Sequence, residues 1–536
     1  MRNLYVVAIG GSGERVMRSL IMLLTSGVNV NAQRVVPIFI ENDIKSHALE
    51  SCIKLLKYYS NSSADNKYKG LGLHTTYSKI GGDQADWPSF CRTVIDVPVI
   101  LNQAGDTIGN LSEVIGGYDS SQPVFDRIDE ELRLLFTDDD LDMKLTVGFV
   151  GNPNIGSVVL NSLSLSSNTF EDLKTRFSPD DGLIVVGSLF GGTGAAGIPL
   201  VVNSINEMDD TRRPVLGTVA MLPYFVTNPK NDRTGNIIDT TKYNVHSDAF
   251  DAKTRAALMY YADYMTSMDC MYYVGDGKAK DVYAHCIGGS GQDNRAHLVE
   301  VMAALSIIDF SNQLRNTSTT YKRPVWGIND DGDINKLPTN ITGVKNKDLA
   351  RALVKFRMMR QIFTDKAFLK TSIEQMHPYS HNIGFTEPMR THVVEANKAE
   401  SSVSSWGLNN LIREWDKWMK ELGDEDANRK FRIYDNNFEA TDKDITSKFY
   451  SETGFGVAKT KMKGTGPFGL GPKVEVAIDA EIQEALASAY RKIYPNGKAE
   501  QAAQIPDENR LPLLLQIISK ALDDVIANRC DDSLKN

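Results

Sequence analysis

Ten residues constrain this chain more than any others: Ser188-Leu189-Phe190-Gly191-Gly192-Thr193-Gly194-Ala195-Ala196-Gly197. They follow the apolar run Leu183-Ile184-Val185-Val186-Gly187, which reads as a buried strand. They precede Ile198-Pro199-Leu200-Val201-Val202, which reads as the opening of a helix. Glycines at 191, 192, 194 and 197 let the backbone approach another group closely and reach positive φ. A turn of backbone N–H groups ending at a helix N-terminus is an anion site, so the stretch reads as a phosphate loop. It is not of the G-x-x-x-x-G-K-[ST] kind, because Ile198 follows Gly197 and no lysine is near in sequence. The dinucleotide pattern G-x-G-x-x-G is also incomplete in Gly11-Ser12-Gly13-Glu14-Arg15-Val16, which lacks the third glycine.

Further strand–turn–helix units surround this loop. Leu4-Tyr5-Val6-Val7-Ala8-Ile9 predicts a first strand. Gly10-Gly11-Ser12-Gly13 then leads into Val16, Met17, Leu20, Ile21 and Leu24, spaced for one apolar helix face. Val35 to Ile40 predicts a second strand, ending in Glu41-Asn42-Asp43, groups suited to ribose hydroxyls or a metal-bound water. Lys144 to Val150 predicts a third strand, with Gly151-Asn152-Pro153-Asn154-Ile155-Gly156 turning into a helix. Pro214 to Met221 predicts a strand ending in Leu222-Pro223-Tyr224-Phe225. A helix over 249–265, a strand over 271–274 and a long helix from Asn294 to about Asn312 complete the series. His297 reads as a packed helix residue and Asp138-Asp139-Asp140 as a solvated turn.

These motifs, in this order, resemble the tubulin/FtsZ family. FGGTGAAG at 190–197 is similar to its GGGTGTG signature, departing at Phe190, Ala195 and Ala196. Gly151-Asn152-Pro153 is similar to the family's γ-phosphate loop, and Pro223-Tyr224-Phe225 to its turn near the sugar. The resemblance covers roughly residues 1–340. It implies an α/β fold: a Rossmann-type nucleotide-binding domain with a parallel sheet, a long central helix and a largely helical C-terminal domain. The corresponding boundaries are 1–312 for the nucleotide domain with an insertion at 44–143, 313–345 for a connecting acidic loop, and 346–536 for the C-terminal α+β part.

The resemblance further implies GTP or GDP with Mg²⁺ as ligands. Gly10, Gly11, Ser12, Gly13, Gly191, Gly192, Thr193 and Gly194 would hold phosphates, with Gly151 and Asn152 at the γ-phosphate. Asn42, Asp43 and Pro223 would lie toward the sugar, and Asn294 and Glu300 would substitute for the base-reading residues. In the loop Gly327 to Asp333, Asn329, Asp331 and Asp333 are candidates to orient the attacking water in a neighbouring subunit's site. The implied partner is a second copy of the chain, head to tail, in a filament. A non-polymerising nucleotide switch or scaffold, with an adaptor protein, is a second reading. A Rossmann-type oxidoreductase is a third.

Composition excludes other classes. With 536 residues the chain exceeds one ordinary core, and its net charge of −9 argues against a general nucleic-acid surface. Cys52, Cys91, Cys270, Cys286 and Cys530 show no C-x-x-C spacing, which fits a reducing cytoplasm. No apolar run is long enough for a membrane span, and no signal peptide is expected. Toward the C-terminus, helical stripes run from Leu349 to Phe363, Leu408 to Leu422 and Leu511 to Ile526, with a short strand at 474–478.

Overall fold

The fold is taken from a computed structural model of the chain. The residues described are 3–43, 45–62, 94–95, 99–101, 110–115, 133–145, 148–149, 151–161, 168–228, 249–265, 268–276, 281–284, 289–291, 294–313, 349, 352–353, 355–360, 403–424, 462–464, 473–475, 478–493 and 518–527. Strand β1 (Asn3–Ile9) passes directly into helix α1 (Gly10–Thr25). Then come β2 (Arg34–Ile40), α2 (His47–Ser62), the short strands β3 (Val94–Ile95) and β4 (Val99–Leu101), and the single turns α3 (Leu111–Val114) and α4 (Asp138–Leu141). Helices α5 (Pro153–Val159) and α6 (Asn168–Lys174) lead to β5 (Gly182–Ser188) and α7 (Gly192–Asn206). Strands β6 (Val215–Met221) and β7 (Phe225–Asn228), helix α8 (Phe250–Tyr264), and strands β8 (Cys270–Val274) and β9 (Asp281–Ala284) precede α9 (Leu298–Gln313). The C-terminal part contributes α10 (Val403–Leu422), the hairpin strands β10 (Met462–Gly464) and β11 (Lys473–Glu475), and α11 (Ile478–Ile493).

The main sheet is parallel throughout, in the order β3/β4-β2-β1-β5-β6-β8. Chain order reverses between β1 and β5, the arrangement of a doubly wound Rossmann-type sheet. Its central strands are apolar at nearly every position because both faces are covered. Leu4, Val6 and Ala8 of β1 face one core with Val16, Leu20 and Leu24 of α1 and with α9. Tyr5, Val7 and Ile9 face the other, with Ile155 of α5 and Ile198 and Val202 of α7. Burying each such side chain contributes roughly 1.5–3 kcal/mol.

Three expectations are corrected here. The described residues of the expected third strand, 144, 145, 148 and 149, are not in a strand: Lys144 makes an isolated antiparallel bridge to Asn110. Gly148 at φ +83° and Gly151 at φ +72° turn the chain back on itself. Leu145 and Phe149 are buried in the second core instead, and the sheet's next strands, β3 and β4, come from within the segment read as an insertion. The long helix begins at Leu298 rather than Asn294. The C-terminal strand ends at Glu475, with Ile478 already helical.

The described parts of 346–536 do not form a core of their own. Phe356, Trp415, Trp418, Leu486 and Val525 belong to the same buried cluster as α1 and α2. Trp415 Nε1 donates to Ser26 Oγ at 2.8 Å and Trp418 Nε1 to Ser19 Oγ at 3.3 Å, while Arg18 pairs with Glu421 at 2.8 Å. Among the described residues no helix is long and apolar enough to cross a membrane. Cys52 and Cys270 are buried thiols, neither in a disulfide.

Candidate functional site

β1 and β5 are the two strands at the point of reversal, and each runs straight into a helix through glycines. Ligands in open α/β sheets bind at this crevice, beyond the carboxyl ends of the strands. The two turns touch. Gly10 has φ +68°, and a Cβ there would stand 3.1 Å from Thr193 Cβ. A third loop joins them: a Cβ on Gly192 would lie 3.0 Å from the backbone nitrogen of Asn152. The expected phosphate-loop residues Gly10, Gly11, Ser12, Gly13, Gly151, Asn152, Gly191, Gly192, Thr193 and Gly194 are thus gathered at one end of the sheet.

The helices that start there are unusual at their N-termini. The first amides of any helix lack intrahelical acceptors, and side-chain caps and acidic residues ordinarily compensate them. Neither α1 nor α7 has a side-chain cap, and neither has an acidic residue in its first turn. Two uncompensated positive helix ends therefore meet at the switch point, the electrostatic requirement for an anion.

The glycines do not all have the same task. A Cβ on Gly194 would stand 2.6 Å from both the nitrogen and the oxygen of Ser188, and one on Gly13 2.6 Å from Val186 O. Gly13 and Gly194 let α1 and α7 lie close on the sheet, which aims their first amides. Phe190, where the family signature has glycine, inserts into an aromatic cluster with Phe250 at 4.7 Å, Phe225 at 5.5 Å and Tyr224 at 6.3 Å. The loop is thereby pinned at its first residue.

The sugar and base end departs from expectation. Glu300 is committed: Oε1 lies 2.7 Å from Arg15 Nε and accepts from Tyr224 Oη at 2.9 Å, and Oε2 accepts from His297 N at 3.1 Å. Arg15 also donates to Tyr224 Oη at 2.7 Å. All three side chains are buried, and the carboxylate and tyrosine hold the Arg15 guanidinium charged against the cost of burial. Glu300, expected at the base, thus has both oxygens engaged within the fold. Asn294 lines a small pocket with Glu14, Arg15, Arg18, His47 and Lys417. Pro223 is buried in the turn after β6. His297 is packed as expected, its ring 5.0 Å from that of Tyr224.

Asn152 is a helix cap. Its Oδ1 accepts from Asn154 N at 3.1 Å and Ile155 N at 3.4 Å, and its Nδ2 donates to Asp140 Oδ1 at 3.0 Å. Its backbone is also engaged, the N–H donating to Phe149 O at 2.7 Å and the carbonyl accepting from Gly156 N at 3.2 Å. Asp140 in turn closes a capping box with Thr137, so 138–140 is a capped helical turn.

After β2, Glu41 Oε1 accepts the N–H groups of Asn42 at 2.7 Å and Asp43 at 2.9 Å. Asn42 Nδ2 donates to Leu145 O. Asp43 accepts from Lys45 N at 3.0 Å and from Gly289 N. Glu14 is wholly buried, with Oε2 accepting from Ser46 Oγ at 2.8 Å and Oε1 without a partner. Burial and then the charge of Glu41 push its carboxyl well above the usual range. Among the described residues no group of three His, Cys, Asp or Glu side chains could hold a metal ion.

Arg15, Glu14 and Glu41 carry much of the local charge yet stood outside the predicted site. The signal was present: two charged residues on the first turns of a helix whose other positions are largely apolar. Asn329, Asp331 and Asp333 lie outside the described residues. No protein-family model and no curated protein matches this chain.

Proposed function

We propose that this chain is a nucleotide-binding protein of the tubulin/FtsZ-like kind, taking GTP or GDP and assembling head to tail. The observation that carries the reading is the meeting of two uncapped, acid-free helix N-termini at the switch point of a parallel sheet. Amides of Gly10–Gly13 and Gly191–Gly194 would hold the phosphates, with the 151–152 turn beside the terminal one. Phosphoryl transfer needs positioning and charge stabilisation more than covalent chemistry, so backbone donors suffice for binding. Hydrolysis would need a water-orienting acid, the role given to Asn329, Asp331 and Asp333 of a neighbouring copy. A protein with these properties works in the cytoplasm.

A binding switch that neither polymerises nor turns over is favoured by one observation: Glu300 and Asn152, two expected ligand residues, are both occupied within the fold. Phosphate release per subunit, followed with rising protein concentration alongside light scattering, separates the two. The filament reading expects release per subunit to climb with concentration in GTP. A flat rate with measurable nucleotide binding supports the switch, and no binding of GTP, GDP or ATP removes both.

A further inference from the structure

The sequence places no lysine near the glycine run, but the fold brings one there. Lys253 lies on the first turn of α8, and its Nζ donates to Gly151 O at 2.7 Å. Gly151 is the residue before Asn152, whose backbone nitrogen abuts Gly192. The ammonium therefore stands at the joint between the 151–152 loop and the 191–194 loop. Its position is fixed from below. Phe250, one turn earlier, is buried against Phe190, the residue that pins the glycine run.

We propose that Lys253 is a binding residue for the terminal phosphate of a nucleoside triphosphate, supplied from a different helix than in lysine-bearing phosphate loops. The inference rests on the nucleotide reading above. An ammonium has three donors, and one described bond uses one of them. Three other buried or half-buried cations have carboxylates: Arg15 has Glu300, Arg18 has Glu421, and Arg295 has Asp281. Lys253 has none among the described residues. Burial alone lowers its pKa, with no acidic neighbour acting against it. A half-buried positive charge facing only a carbonyl dipole is stabilised most by an incoming anion. The terminal phosphate of a triphosphate would reach this joint. A diphosphate, held by the amides of α1 and α7, would stop short of it.

The test compares a non-hydrolysable triphosphate, guanosine 5′-(β,γ-imido)triphosphate, with GDP by calorimetric titration, and repeats it with the adenine pair. Wild-type protein, Lys253→Met and Lys253→Arg are used at full length. Lys253→Met is expected to weaken triphosphate binding about 10–100-fold, the range of a charge-assisted hydrogen bond, with diphosphate affinity changed less than about twofold. Lys253→Arg retains most of the preference. If Lys253→Met weakens both ligands equally, or neither, Lys253 does not read the terminal phosphate while the nucleotide reading stands. If the wild-type protein binds no nucleotide, both fall. An unchanged melting temperature in Lys253→Met shows that the loss arises at the site rather than in the fold.

Discussion

Glu41 sits where β2 ends, with its carboxylate turned back onto the two amides that follow it. Burial is the main cause that moves its pKa, up to about 7, and the charge of Asp43 adds to it, while the amide bonds oppose. The sign follows from proton counting. Between the ordinary value near 4.3 and about 7, the folded chain holds a proton that the unfolded chain has released. The stability from this group is fully present below that window and falls as pH rises through it, at up to about 1.4 kcal/mol per pH unit. Glu41→Gln keeps an oxygen for the two amides and removes the titration. Urea midpoints at pH 5 and pH 7.5 should therefore drop less in Glu41→Gln than in wild type, and equal drops would refute the assignment. Glu14, also raised by burial and by the charge of Glu41, acts in the same direction. The glycine turns are thus bordered by carboxyls that gain protons on folding, which keeps negative charge away from the place where an anion would enter.

Among the elements, α7 carries a proline in its interior, at Pro199. Proline has no N–H, so the carbonyl four residues earlier, Ala195 O, loses its helical partner. Tyr261 of α8 replaces it, donating its hydroxyl at 2.8 Å. Tyr261→Phe should cost about 1–3 kcal/mol in equilibrium denaturation, because it strands a buried carbonyl. The same substitution made with Pro199→Ala should cost less, since the restored N–H takes up Ala195 O. Equal costs in both backgrounds would show that the hydroxyl has another role. The pairing illustrates what sequence patterns reach and what they do not. Apolar runs located β1, β2, β5, β6 and β8, because strand formation in a two-sided sheet is written locally as consecutive Val, Ile and Leu. β3 and β4 have two and three residues, too few to show a period. The run 144–150 looked like a strand because its side chains are apolar, but among its described residues Gly148 takes a positive φ. At the site, the glycine turns were legible as spelling. Their partners were not: Arg15 meets Glu300 across 285 positions and Lys253 meets Gly151 across 102. A periodic pattern shows which face of an element is buried, and says nothing of what arrives to cover it.

At the scale of the molecule, described residues on both sides of the boundary drawn near residue 345 share one buried cluster. Trp415 and Trp418 are completely buried against α1 and α2, and their indole N–H groups end on Ser26, just past the end of α1, and on Ser19 within it. A fragment ending at residue 345 would expose that surface, losing several side chains worth roughly 3–5 kcal/mol each if the two tryptophans are a guide. It should show no cooperative melting transition and should bind a hydrophobic dye. A monomeric fragment with a sharp transition would demonstrate an independent N-terminal domain after all.

The bond between Ser26 and Trp415 spans 389 positions. At a synthesis rate of about 5–20 residues per second, roughly 20–80 s separate the emergence of its two ends. During that interval the helix that begins with Gly10-Gly11-Ser12-Gly13 has its outer side bare on the ribosome. A chain cut short by premature termination before residue 403 never receives its cover. Completion of synthesis and completion of the core around that helix become one event, and a defective copy is marked for clearance by the surface it fails to hide.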